Sequence, residues 1–219
     1  MAKAHLNTFD GFIGKIGDTV TYILNGVVVR RKIGRTKKPA TLSQLAARQT
    51  TPLSNDFIKP VKEFINIGFK AEGKSVKRSA NSMISSYTRL NAIKGTYPNQ
   101  EIDFTKVRFS QGNMPLTPQT KVILIEDGLQ FSWDKTLIPG QFRADDQVML
   151  VVYFPGQKTA EHTVNGGARS NGIADFPLVR QENPVIIETY ISFISADREK
   201  VSNTFYTGQL ILPAFNPNP

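Results

Sequence analysis

At 219 residues, 40% of them hydrophobic and 10% aromatic, the chain can bury a substantial core in one large domain or two small ones. It contains no cysteine, which excludes disulfides, thiolate nucleophiles and sulfur-ligated metals. The net charge of +9 is unevenly spread: residues 1–100 hold 17 Lys or Arg against 5 Asp or Glu, and residues 101–219 hold 10 against 13. Such asymmetry fits an anion-binding half, or an oligomer in which a basic half meets an acidic one. No stretch approaches the roughly 20 apolar residues that cross a bilayer, and "MAKAHLNTFD" lacks the apolar centre of a secretory signal. The expected location is therefore the cytoplasm at synthesis, with release only through a dedicated machine or lysis.

The first element is a β-hairpin. Asn25-Gly26 divides two alternating runs, "TVTYIL" and "VVVRRK", and this dipeptide suits a type I′ turn because both central positions need positive φ. Residue 24 then faces 27 and 22 faces 29, which places Val20, Tyr22, Leu24, Val27 and Val29 on one face, expected to be core. Thr19, Thr21, Arg30 and Lys32 fall on the other, expected to be wet. Ahead of it, "GFIGKIG" spaces Gly11, Gly14 and Gly17 three apart and reads as a looped or bulged entry.

Helices follow. Thr41 and Gln44 form a capping-box pattern that predicts a short helix, which Pro52 and Pro60 should break. A second helix is predicted from about Ser54 to Ile67 and a third from about Gly73 to Ile93. The third carries Val76, Ala80, Met83, Ile84, Tyr87 and Leu90 as its core stripe, with Gly95 as its C-terminal cap.

From Ile102 the period changes to two. "EIDFTKVRF" reads as a strand and "GNMPLTPQT" as a proline-rich linker. Seven short strands then follow at the rhythm of a β-sandwich, from "KVILIE" to "SNTFYTGQLIL". The reading is an α+β fold: a basic N-terminal module of β-hairpin plus helices over residues 1–114, then an antiparallel sandwich over residues 115–219.

Two resemblances refine it. "LQFSW", with Trp133, and "YISFISADREKVSNTFYTGQLIL", with Tyr190, are similar to strands of a fibronectin type III domain, implying a fibronectin/immunoglobulin-like architecture but no ligand. Over nearly the whole chain, "GFIGKIGDTVTY", "NGVVVRRK", "TLSQLAARQ", "IKGTYPNQEIDFTKVRFSQGN", "GARS" and "YISFISADREKVSNTFYTG" resemble an uncharacterised family of Bacteroidota, about two hundred residues long. That resemblance implies no activity, cofactor or site. This chain has Lys38-Pro39 where members typically show Asn-Pro.

The chemistry-bearing residues do not converge. His5 and His162 have no second ligand at metal spacing, and "GFIGKIGD" lacks the gap and the hydroxyl residue of a phosphate loop. Asp145-Asp146 and Asp127-Gly128 read as turn formers. No nucleophile elbow or paired acid and base appears. Neither an enzyme nor a cofactor or metal site is expected.

What stands out is a basic set: Arg30, Arg31, Lys32, Arg35, Lys37 and Lys38 in and after the hairpin, with Lys74, Lys77 and Arg78 on the polar face of the third predicted helix. The expected function is a non-enzymatic structural or assembly protein that docks through the N-terminal module to copies of itself or a structural partner. By analogy, it would display its sandwich in a phage-derived or other extracellular particle. The alternative is non-specific binding of nucleic acid by the same cations, although interleaved aromatics for readout are missing. A third reading, a carbohydrate or surface ligand on Trp133 and Tyr153, competes with a core role for Trp133.

Overall fold

A computed structural model describes residues 2–5, 13–35, 38–70, 72, 77–117, 119–136, 142–179 and 181–214. The chain forms two compact units, residues 1–41 and 42–219.

The first unit is a four-stranded antiparallel sheet of order β1-β4-β3-β2, built from β1 (Ala2–His5), β2 (Gly14–Ile16), β3 (Thr19–Leu24) and β4 (Val27–Lys32). Asn25 and Gly26 adopt φ of 51° and 76° at the β3–β4 turn, and Leu24 pairs with Val27 and Tyr22 with Val29, the register that the type I′ turn requires. The glycine-spaced entry contributes β2 itself, joined to β3 by a second tight turn at Gly17, φ 56°.

The expected split into a core face and a wet face is corrected. Val29 is buried on one face, but Thr21 and Val28 are buried on the other, while Leu24 and Ile23 are 54% and 42% exposed. Burial follows position along the strands rather than parity. β2 pairs with Thr19 to Thr21 and stops, so Ile23 and Leu24 project at the hairpin tip beyond that neighbour.

In the second unit, α1 (Leu42–Ile58) starts directly after Thr41 and runs through Pro52 instead of ending there. Its lost amide hydrogen bond is tolerated because Ser54, Phe57 and Ile58 are packed in the interior, so tertiary burial outweighs local propensity. The hydroxyls of Thr50 and Thr51 both donate back to the Ala47 carbonyl just ahead of the proline. Pro60 does interrupt, in a 3-10 turn over Lys59–Val61 that precedes α2 (Lys62–Gly68).

α3 (Ala80–Asn91) begins later than its apolar period predicts. Lys77 sits at φ 51°, outside the helical region, and Ser79 caps the helix by accepting from the Ser82 amide at 3.2 Å. Met83 and Ile84 are buried as expected, whereas Leu90 is 81% exposed; Val76 lies outside the described residues. Ala92 is the C-cap, and Gly95 instead turns the chain between β5 (Ile93–Lys94) and β6 (Glu101–Ile102). The strand expected over 101–109 is only β6. Asp103 then caps a 3-10 turn at Phe104–Lys106 by accepting from the Thr105 amide.

The seven expected strands form two antiparallel sheets. One is three-stranded, of order β11-β8-β7, from β7 (Lys121–Ile125), β8 (Gly128–Ser132) and β11 (Ile173–Pro177). The other is four-stranded, of order β10-β9-β12-β13, from β9 (Gln147–Phe154), β10 (Thr159–Thr163), β12 (Val185–Ile194) and β13 (Phe205–Leu212). Leu129, Phe131, Ala174 and Phe176 from the first sheet share a core with Val148, Leu150, Val152, Ile187 and Ile191 from the second.

The four-stranded sheet is covered on its other face too. Met149, Val151 and Tyr153 of β9, with Tyr190 and Ile194 of β12, pack against Phe57, Phe64, Ile65, Met83 and Ile84 of the helices. The unbroken run "QVMLVVYF" is what a strand buried on both faces needs. This packing corrects the division expected between residues 114 and 115: helices and sheets share one interior. The supposed linker belongs to it, since Met114 and Thr117 are buried and the Met114 amide donates to the Val201 carbonyl.

Candidate functional site

Among the described residues, five members of the basic set lie in the first unit. Arg30, Arg31 and Lys32 are consecutive on β4 and therefore alternate in direction, Arg30 and Lys32 toward one face and Arg31 toward the other. Arg31 stands 5.9 Å from the Tyr22 ring centroid, and Lys32 pairs with Asp18 at 3.3 Å, where both side chains are exposed. Arg35 and Lys38 are exposed in the segment leading to α1. In the second unit Lys77 and Arg78 precede α3, and the Arg78 guanidinium reaches the Ser82 hydroxyl at 3.3 Å. Lys37 and Lys74 lie outside the described residues. The hairpin cations thus do not form one continuous stripe, because strand geometry splits neighbours between faces.

The strongest electrostatic feature is one that sequence reasoning passed over. Arg169, fully buried, opens a 3-10 turn (Arg169–Asn171) that Gly172 closes in the left-handed region. Its Nε lies 3.3 Å from Oδ2 of Asp146, Nη1 donates to the Thr117 hydroxyl, and Nη2 lies 3.3 Å from the Met114 sulfur. The guanidinium is held between the rings of Phe193 at 3.9 Å and Phe142 at 4.3 Å. Burial lowers its pKa to about 10, an effect that Asp146 opposes.

Backbone bonds fix both partners. The Arg169 amide donates to the Asp146 carbonyl at 2.6 Å, and the Asp146 carboxylate accepts from the Arg143 amide at 3.0 Å. The Trp133 indole donates to the Arg169 carbonyl at 2.8 Å and its ring meets Phe193 edge-on. Trp133 is therefore core, and so is Tyr153, packed against Phe57 and Phe104. This corrects the reading of those two rings as a ligand surface. The available signals were "GARS" and the acidic pair Asp145-Asp146, but nothing in either string distinguishes a buried ion pair from a solvated turn.

Beside this pair opens a cleft of about 790 Å³, whose walls include Met114, Phe142, Asp146, Ser195, Asp197 and Lys200. Its rim is the β12–β13 turn, where the Ser195 hydroxyl donates to Asp197 at 2.5 Å and accepts from the Lys200 amide at 2.9 Å. The Ser195 hydrogen bond is the main cause that holds the Asp197 carboxyl below its ordinary value. A carboxylate stabilised in this way is a weak base toward the serine. His162 lies on β10, edge-on to the Phe64 ring at 5.8 Å. Among the described residues no three His, Asp or Glu side chains are grouped to hold a metal ion.

With that geometry in place, comparison with known proteins adds one result. A family model, described as a family of unknown function, DUF6266, matches residues 11–208. The chain belongs to this family. The match reaches from before β2 into β13, so it takes in most of both compact units. No curated protein and no solved structure matches the chain.

Proposed function

We propose that this DUF6266 member is a non-enzymatic assembly protein that self-associates through its N-terminal sheet. The observation that carries the reading is how few of that unit's described residues are buried. Of its described residues with assigned burial only Thr21, Val28 and Val29 are buried, while Ile13, Ile16, Ile23 and Leu24 are largely exposed. A unit of about 40 residues rarely holds together on so little without a partner, a metal or disulfides, and the chain has no cysteine. Copies of the same chain supply both the missing apolar cover and, through the acid-rich C-terminal half, counter-charge for Arg30, Arg31 and Lys32.

In this reading the second unit is displayed as a fibronectin type III-like sandwich. The division of seven strands into three and four, and the seat of Trp133 in the shared core, support that finer architecture. A phage-derived or other extracellular particle is the setting such a display suits. Among the described residues no helix is long and apolar enough to cross a membrane.

Light scattering on the nuclease-treated protein tests the proposal, with Ile23→Lys/Leu24→Lys as the comparison. Large, regular species that fall to monomers in the double variant support it. A monodisperse monomer at high concentration and low salt rejects it.

A second reading, non-specific binding of nucleic acid by the hairpin cations, draws on the exposure of Arg30, Arg31 and Lys32. It requires that reversing Arg30 and Arg31 to Glu abolish DNA retention while the fold persists.

A further inference from the structure

A second concavity, about 750 Å³, lies on the second unit between α3 and the segments 105–108 and 204–206. Tyr87, Leu90, Lys106, Arg108, Phe205 and Tyr206 are among its lining residues, and none of the lining residues is acidic. This is the combination that the basic hairpin lacks: cations interleaved with aromatic and apolar side chains in one concave place.

Arg108 is the central group. Its guanidinium carbon lies over the Tyr87 ring, 4.7 Å from the centroid, and the side chain is half-buried. Among the described residues its N–H donors have neither a hydrogen-bond acceptor nor an ion-pair partner. The other cation, Lys106, is tethered by Asp103 at 3.3 Å yet remains 64% exposed.

The backbone that carries Arg108 is pinned from the far side of the groove. The Thr204 hydroxyl accepts from the amides of Phe109 at 2.9 Å and Ser110 at 2.8 Å, and the Thr204 amide donates to the Ser110 carbonyl. The two lips therefore move as one piece. Leu90 is 81% exposed and Phe205 43% exposed, which leaves apolar surface open beside the cation.

A guanidinium stacked on one ring has its second face and its edge free: the edge takes two oxygens of an anion, and the face takes another flat ring. We propose that this groove binds a nucleoside phosphate, the phosphate on Arg108 and Lys106 and the base stacked against the Arg108 plane and Phe205. The chemistry is shared by a free nucleotide and by one unit of a single strand, and both have the flat ring and the charge that the groove offers. The groove is built from residues of the second unit alone, whereas the hairpin cations and the self-association surface belong to the first, so the two proposals are tested with different variants.

Fluorescence anisotropy on the full chain at low salt, with labelled AMP and a labelled short oligothymidine as probes, tests it. The variants are Arg108→Gln and Phe205→Ser, each checked for an unchanged melting transition, with Arg30→Glu/Arg31→Glu as the contrast. One lost phosphate contact or one lost stacking partner should weaken binding about tenfold, and the hairpin variant should leave it unchanged. Binding of AMP identifies a free nucleotide as the source; binding of the oligothymidine alone identifies a strand; either supports the site. The proposal is overturned if neither probe binds. It is equally overturned if binding ignores Arg108 and Phe205 and is lost with the hairpin charges.

Discussion

Nε of Arg169 lies 3.3 Å from Oδ2 of Asp146, and both side chains are closed off from water. An ion pair in such a place is held by the cost of separating it more than by its own attraction. Asp146→Asn leaves a buried cation without its counter-charge and should cost about 3–5 kcal/mol. The Arg169→Met/Asp146→Leu double variant should lose distinctly less. Urea unfolding of the single and double variants decides, and equal losses would show that packing on Phe142 and Phe193 matters more than charge.

Three tyrosines make the fold sensitive to alkali. Burial raises the pKa of Tyr153 to about 12, with Asp56 adding to the shift. Tyr190 is raised by burial foremost, and Tyr206 by burial and then by its 2.6 Å hydrogen bond to Glu188. A raised folded pKa means that the native state holds its proton longer than the unfolded chain does. Stability is therefore complete below the unfolded pKa of about 10 and is lost as pH rises from there toward the folded values. Urea midpoints measured on both sides of that pH should show the decline, and Tyr153→Phe should make it shallower. A midpoint independent of alkali would contradict the burial of these phenols.

Gly128 opens β8 at φ +147°, and a β-carbon there would press on the Phe176 carbonyl in β11 and on the Leu178 amide. Both obstacles are backbone, which cannot swing aside. Gly128→Ala should therefore cost about 3 kcal/mol, from strain and overlap together. The melting temperature reports it directly. A neutral result would mean that the β8–β11 edge yields more easily than its pairing implies.

Pro52 offers the opposite sign. It is exposed within α1, so its replacement disturbs no core contact. Pro52→Ala should restore one helical hydrogen bond and stabilise the second unit by up to about 3 kcal/mol. A loss of stability would instead assign the proline a role in directing α1.

How much of this was legible beforehand depended on the range of the forces involved. The β3–β4 hairpin was readable from Asn25-Gly26, because a type I′ turn is a demand on two adjacent φ angles and sets its own register. The seven strands of the C-terminal part were readable for a similar reason, alternation and turn residues being local. Helix ends were less so. Pro52 is tolerated and Lys77 is excluded from α3 by packing and capping that lie outside any short window.

The sequence by itself determined the α+β class, the seven strands of the C-terminal part and the hairpin register, all consequences of backbone dihedrals and side-chain period. "QVMLVVYF" reads as one strand of a sandwich, without showing what covers each face of β9. Only the tertiary structure decided that α1, α2 and α3 cover one of them, that the supposed linker is interior, and that Arg169 is sealed against Asp146. It alone set Tyr87 and Arg108 together, 21 positions apart in the chain, beside Phe205. Burial and side-chain convergence depend on which distant surfaces meet, and no local period records that.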